Sequence, residues 1–148
     1  MTSQLPRSDA GLATALRISV SRLARRLRAE RIAGGLAELS DTQLAALAAL
    51  EKHGMMTPGE LADHEKVQPP SITRVIAALE ERGLVMRAPH ETDRRQVMLT
   101  ATETGKALVH QSRKLRDAWL TRQLKELSQE ERAKLRAAAP ILEKLSQS

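Results

Sequence analysis

The chain has 148 residues, 41% of them hydrophobic, with Trp119 as its single Trp, Tyr or Phe and with no cysteine. That allows one core of Leu, Ile, Val, Ala and Met, favours helices over a large sheet, and excludes disulfides, thiol redox chemistry and a wholly disordered chain. The formal charge of +6 admits a polyanionic partner, whereas no apolar run approaches the roughly 18 residues of a bilayer span and the N-terminus lacks the apolar stretch of a signal peptide, so a cytoplasmic protein is expected.

Leu12, Leu16, Val20, Leu23 and Leu27 recur at helical spacing, with Arg22, Arg25, Arg26 and Arg28 between them. They predict a long amphipathic helix over 9–32, ended by Gly34-Gly35. Ser40-Asp41-Thr42-Gln43 reads as a capping box opening a second helix, with Leu44, Leu47 and Leu50 inward and an end near Gly54. Thr57-Pro58-Gly59-Glu60 is a second box, with Pro at the favoured first position of a short helix. After a break at 65–68, Pro69-Pro70 opens a fourth helix that runs to about Arg82, where Gly83 can adopt the left-handed cap.

Beyond Gly83 the pattern changes. Residues 84–87 and 97–100 read as short strands joined by a polar, charged turn over 88–96. A long helix is expected from about Thr102 to Leu127, with Leu108, Leu115, Trp119 and Leu124 as inward candidates. Ser128-Gln129-Glu130-Glu131 is a third capping box. It opens a last helix carrying Leu135, Ala138, Leu142 and Leu145, in which Pro140 is expected to introduce a kink or a break.

Segment 57–83 has the spacing of a helix-turn-helix, whose second helix enters the major groove of DNA. At about 100° per residue, Ile72, Val75, Ile76 and Leu79 fall on one face of that second helix. Pro70, Arg74, Ala77 and Glu81 lie opposite, flanked by Ser71, Thr73 and Ala78. Small outward residues allow close approach to the groove, Arg can bond a guanine edge, and Ser and Thr can bond bases or phosphates. Charge agrees with this division. Glu38, Asp41, Glu51, Glu60, Asp63 and Glu65 precede Lys66, whereas Arg74, Arg82, Arg87, Arg94 and Arg95 follow it.

The hairpin carries Asp93-Arg94-Arg95-Gln96-Val97-Met98-Leu99-Thr100-Ala101-Thr102-Glu103-Thr104-Gly105. With Pro-Ser-Ile-Thr-Arg-Val-Ile at 70–76, the stretch 54–105 resembles the DNA-binding core of the MarR family of bacterial regulators. That family's wing reads Asp-x-Arg-x-x-x-Val-x-Leu-Thr, followed closely by Gly. Asp93, Arg95, Thr102 and Gly105 match, while Leu99 stands for the Val and Ala101 for the Leu. The resemblance implies a mainly α fold: a winged helix-turn-helix with a small β hairpin wing over 38–101, and a helical dimerisation region formed by 1–37 and 102–148. It implies a homodimeric, sequence-specific regulator of transcription, most simply a repressor, bound to a pseudo-palindromic operator in double-stranded DNA.

By the same resemblance, Ser71, Thr73 and Arg74 face the major groove with Gln68 and Pro69 at its edge. Arg95 reaches the minor groove, Asp93 holds it, and Arg94 meets phosphate or the same groove. Thr57 either brings its helix N-terminus to a phosphate or acts as a plain cap. Many members of the family release DNA when a small, often aromatic or phenolic, molecule binds between the two lobes. Here that implies an amphipathic ligand among the first, second and long helices, with Arg17, Arg22 and His53 as polar anchors beside Met55 and Trp119. His53, His64, His90 and His110 lack paired ligand spacing, so neither a metal nor another cofactor is expected, and no catalytic constellation is present. Two other readings remain: an effector-independent architectural DNA-binding protein, distinguished by weak sequence preference in footprinting, and a winged-helix protein–protein adaptor, distinguished by no retention on DNA at low salt.

Overall fold

In the computed structural model, residues 7–36 and 39–148 are described. The expected domain boundary between residues 37 and 38 lies outside them, as do residues 1–6 of the expected dimerisation region and Glu38. Helix α1 (Asp9–Ala33) begins where the Ser8 hydroxyl accepts from the Gly11 N–H. Helix α2 (Asp41–His53) starts on a complete capping box, in which Ser40 Oγ accepts from Gln43 N and Gln43 Oε1 accepts from Ser40 N, both at 3.1 Å. Helix α3 (Pro58–Glu65) has half of its expected box. Thr57 Oγ1 accepts from Glu60 N, but the return bond from the Glu60 carboxylate is absent among the described residues. Lys66, at φ 54°, turns the chain through the left-handed region into α4 (Pro69–Glu81), which ends before Gly83 at φ 71°.

Strands β1 (Val85–Pro89) and β2 (Val97–Ala101) pair antiparallel, with Val85 opposite Ala101 and Pro89 opposite Val97. The hairpin is longer than the sequence implied, because Ala88 and Pro89, expected in the turn, belong to β1. Proline is tolerated there because β1 is an edge strand and Pro89 forfeits no ladder bond on the open side. The other side of β2 is met by Met56, which exchanges two backbone hydrogen bonds with Leu99 at 2.7 and 3.1 Å. Helices α5 (Glu103–Lys125) and α6 (Gln129–Ser146) complete the chain. Helix α6 is assigned as one continuous helix with Pro140 inside it, so the expected break does not occur. The carbonyl four residues earlier, which the missing proline N–H leaves without its helical bond, belongs to exposed Arg136, where water can replace it.

The core lies between α2, α3, α4 and the hairpin. Leu47, Leu50, Leu61, Ile72, Ile76, Leu79 and Leu99 are fully buried there, each burial stabilising the fold by about 1.5–3 kcal/mol. Helix α5 joins this core through Gly105, Val109 and Ser112; the inward candidates Leu108, Leu115, Trp119 and Leu124 are only half-buried. At its start, α5 approaches the hairpin root closely. Thr102 Oγ1 donates to Gly83 O at 2.7 Å and accepts from Gly105 N at 3.1 Å, and Thr102 N donates to Leu84 O. A Cβ at residue 105 would sit 2.3 Å from Leu84 O, so only glycine fits.

Helix α1 buries only Arg31, at 3% exposure. Its guanidinium donates to Leu36 O (2.9 Å), Leu39 O (2.6 Å) and Asp41 Oδ1 (3.0 Å), and Arg28 pairs with the same Asp41 carboxylate. This fork joins the end of α1 to the start of α2. Elsewhere α1 exposes Leu12, Ile18, Val20 and Leu23, and α6 buries nothing while exposing Leu135, Ile141, Leu142 and Leu145.

Candidate nucleic-acid interface

The two proline residues decide how the start of α4 can act. Pro69 and Pro70 have no N–H, and the next two amides, of Ser71 and Ile72, donate to Gln68 O at 3.0 and 3.1 Å. The helix therefore offers little backbone donor capacity, and its contacts must come from side chains. Ile72, Ile76 and Leu79 are buried with Val75 half-buried, leaving Ser71, Thr73, Arg74 and Ala77 exposed on the outer face. Thr73 commits its hydroxyl proton to Pro69 O at 2.9 Å, whereas Arg74 has no ion pair among the described residues and is available to a base edge. Gln68 caps without a side-chain bond, so its amide is free to reach outward.

In the turn between β1 and β2, Asp93 Oδ1 accepts from Arg95 N at 3.0 Å and from Arg95 Nε at 3.4 Å. The Arg95 side chain is 93% exposed and, among the described residues, is held by this carboxylate alone. Arg94 is exposed beside it. His90, weighed in the sequence only as a metal ligand, lies at the base of this turn, its Nδ1 within 3.1–3.2 Å of the backbone amides of Thr92 and Asp93.

Between the wing and α3 runs a cleft of about 350 Å³, lined by Thr57, Pro58, Gly59, Arg87, Arg95 and Val97. Two guanidinium groups face a helix start, a combination suited to a backbone phosphate. Thr57 acts there as a cap, its hydroxyl engaged by Glu60 N, and Leu61 N donates to Thr57 O, so Gly59 carries the amide donor left at this helix start. Sequence reasoning missed the role of Arg87. Its Nε lies 2.7 Å from Glu80 Oε1, which ties strand β1 to the end of α4. Only the basic count beyond Lys66 signalled it.

The five residues expected around an effector do not converge. Arg17 lines a groove between α1 and α6 with Leu16, Val20, Leu142 and Leu145. Arg22 is exposed on α1. His53 stands at the end of α2, its ring 4.8 Å from that of His64, in a wide polar cleft that also meets α6. Met55 is 51% exposed, whereas its neighbour Met56 packs in the core. Trp119 is half-buried beneath Arg26, whose guanidinium carbon lies 5.4 Å from the ring centroid and so links α1 to α5. The expected position among α1, α2 and α5 does hold a cavity, of about 250 Å³. It is lined by Leu27, Leu44, Arg28, Arg31, Arg116 and Asp41.

Among the described residues no group of His, Asp or Glu is placed to hold a metal ion, and no helix is long and apolar enough to cross a membrane. Residues 39–97 match the sequence model of the MarR family. The chain is 46% identical, over 91% of its length and 92% of the relative's, to an uncharacterised HTH-type transcriptional regulator of Mycobacterium bovis, Mb0904. It is 33% identical to the HTH-type transcriptional repressor MdtR of Bacillus subtilis over 74% of this chain and 69% of that one. The fold superposes on wild-type apo MarR of Escherichia coli with a TM-score of 0.74 at 25% identity, covering 90% of this chain and 96% of that one. With its winged helix-turn-helix, its recognition face and these relatives, the chain belongs to the MarR family of DNA-binding transcriptional regulators and is not an enzyme.

Proposed function

We propose that this regulator is a cytoplasmic homodimeric repressor. It would occupy a pseudo-palindromic operator with its two α4 helices in major grooves about one DNA turn apart, roughly 34 Å. The observation that carries the dimer is the pair of apolar stripes on α1 and α6, left exposed among the described residues of one subunit. Repression is supported by the likeness to MdtR. In this reading Arg74, with Ser71 and Thr73, reads base edges, with Gln68 and Pro69 at the groove edge. Arg95, oriented by Asp93, enters the minor groove, and Arg94 meets the backbone there. The cleft bounded by Thr57, Gly59 and Arg87 seats the phosphate between helix-turn-helix and wing.

Selection of binding sites from genomic DNA tests this directly and should return an inverted repeat. On that site, Arg74→Ala is expected to cost about 1–3 kcal/mol and to relax preference at one position per half-site. Arg95→Ala is expected to weaken binding to many sequences alike and to lower the slope of log K against log salt by about one per half-site. Unchanged affinity for both variants at moderate salt would overturn the assigned DNA face.

We further infer release by a small amphipathic acid in the cavity among α1, α2 and α5. Leu27 and Leu44 would meet the apolar body of such a molecule, and Arg28 and Arg116 its acid group. Release requires that the ligand favour a spacing of the two α4 helices that DNA does not accept, by several kcal/mol. A thermal-shift and operator-release screen of aromatic acids and phenols is expected to find compounds active in both assays. A compound that binds tightly without loss of DNA affinity is no inducer, and a screen with no hits returns the effector-independent reading.

A further inference from the structure

The turn of the wing is organised around one imidazole. His90 follows the last residue of β1, and its Nδ1 lies 3.2 Å from Thr92 N and 3.1 Å from Asp93 N, with Thr92 Oγ1 at 3.3 Å. Both amides are donors, so Nδ1 is an acceptor and the ring proton resides on Nε2. The loop is closed behind it by His90 N donating to Gln96 O at 3.2 Å and Gln96 N donating to Asp93 O at 3.0 Å. With its backbone so fixed, Asp93 turns its carboxylate to the amide and guanidinium of Arg95. Nothing else among the described residues holds that exposed arginine.

We infer that His90 is the positioning residue of the wing: its unprotonated Nδ1 fixes Asp93, and through Asp93 sets the direction in which Arg95 leaves the protein. The inference rests on the reading of Arg95 as a DNA contact. It follows from the direction of the hydrogen bonds. The amides of Thr92 and Asp93 both point at one ring nitrogen, while those of Arg95 and Gln96 bond to Asp93. Without that acceptor the tip would choose among several turn conformers, and Arg95 would pay the ordering cost on meeting DNA. Asparagine carries a short carbonyl that can accept from backbone amides two and three residues on, so it can replace the imidazole, whereas alanine cannot.

Operator binding of the full-length protein tests this with His90→Ala, His90→Asn, Arg95→Ala and the His90→Ala, Arg95→Ala double variant. His90→Ala is expected to weaken binding about fivefold, the worth of one ordinary hydrogen bond, and His90→Asn to restore most of it. The double variant should bind no more weakly than Arg95→Ala alone, because both changes remove one contact. In the free protein, nitrogen NMR should find the neutral His90 ring protonated on Nε2. The amides of Thr92 and Asp93 should exchange faster in His90→Ala and not in His90→Asn. Additive losses, failure of asparagine to rescue, or a ring protonated on Nδ1 would each overturn the proposal. An Arg95→Ala variant that binds like the parent would instead overturn the DNA role of Arg95, while the exchange and tautomer results would still decide what His90 does.

Discussion

Removal of residues 128–148 is expected to abolish dimerisation and operator binding together while leaving the winged lobe folded. Helix α6 contributes no buried residue to its own subunit, so its loss takes nothing from the core around Leu47, Leu61 and Leu79. What it removes is an apolar face, with Leu135, Ile141, Leu142 and Leu145 at 40–61% exposure. An exposed stripe of that kind marks a surface that another chain covers, and the matching stripe of α1 makes a second copy the natural partner. In the proposed dimer one subunit would engage one half-site, and linking two subunits would raise affinity by about 10²–10⁴ without any new contact, which is what the truncation would forfeit. Sedimentation at micromolar concentration and fluorescence anisotropy on the selected operator measure the two losses, and circular dichroism monitors the fold. A full-length protein that stays monomeric at that concentration and still grips a palindrome tightly would refute the arrangement.

Arg31→Ala is expected to destabilise the subunit by about 3 kcal/mol, more than a core Ile→Val truncation would. The side chain is 3% exposed, and its removal leaves Leu36 O and Leu39 O without their donor. Arg31→Lys should recover only part of the loss, because one ammonium cannot reproduce a planar fork that serves two carbonyls and a carboxylate. Asp41→Asn should cost less, since that carboxylate is half-exposed and the buried guanidinium keeps both carbonyls. Urea unfolding of the three variants orders them, and a loss below about 0.5 kcal/mol for Arg31→Ala would show that the fork contributes little.

Arg31 also shows where sequence reading stops. Along α1 it stands four residues after Leu27 and so continues the apolar stripe, but periodicity does not say what would satisfy a guanidinium buried there. Its burial depends on carbonyls five and eight residues downstream, which become visible only once the chain has turned. The helix starts were legible because capping is local: Ser40 and Ser128 each announce a helix three residues before the bond that proves it. At the second of these, the Ser128 N–H and hydroxyl hold the Glu131 carboxyl below the usual carboxylate range. The carboxylate half of that cap is therefore charged at neutral pH and weakens as pH falls through the lowered value, while Ser128 Oγ keeps the Glu131 amide. The two faces of α4 were legible for a similar reason, since a 3.6-residue period needs no partner to be read. The Met56–Leu99 bridge was hidden because it joins residues far apart in the chain. The role of His90 was hidden because an acceptor for two amides has no sequence signature of its own. The cavity among α1, α2 and α5 was located by element but not by residue, because the spacing that marks a core position also marks a cavity wall.

The fit of Gly105 against Leu84 has a mechanical consequence. With the backbone of α5 in contact with the root of the hairpin and Thr102 bonded on both sides of it, the joint has no slack, so helix and wing should swing as one rigid arm. The arm is long: at 1.5 Å per residue the 23 residues of α5 extend about 35 Å. A tilt of about 5° about Trp119, where Arg26 stacks and which lies about 24 Å along the helix from Glu103, would therefore move the helix start by about 2 Å, roughly a third of the width of a minor groove. Small rearrangements between subunits would then reach the DNA as displacements too large for a seated arginine to follow.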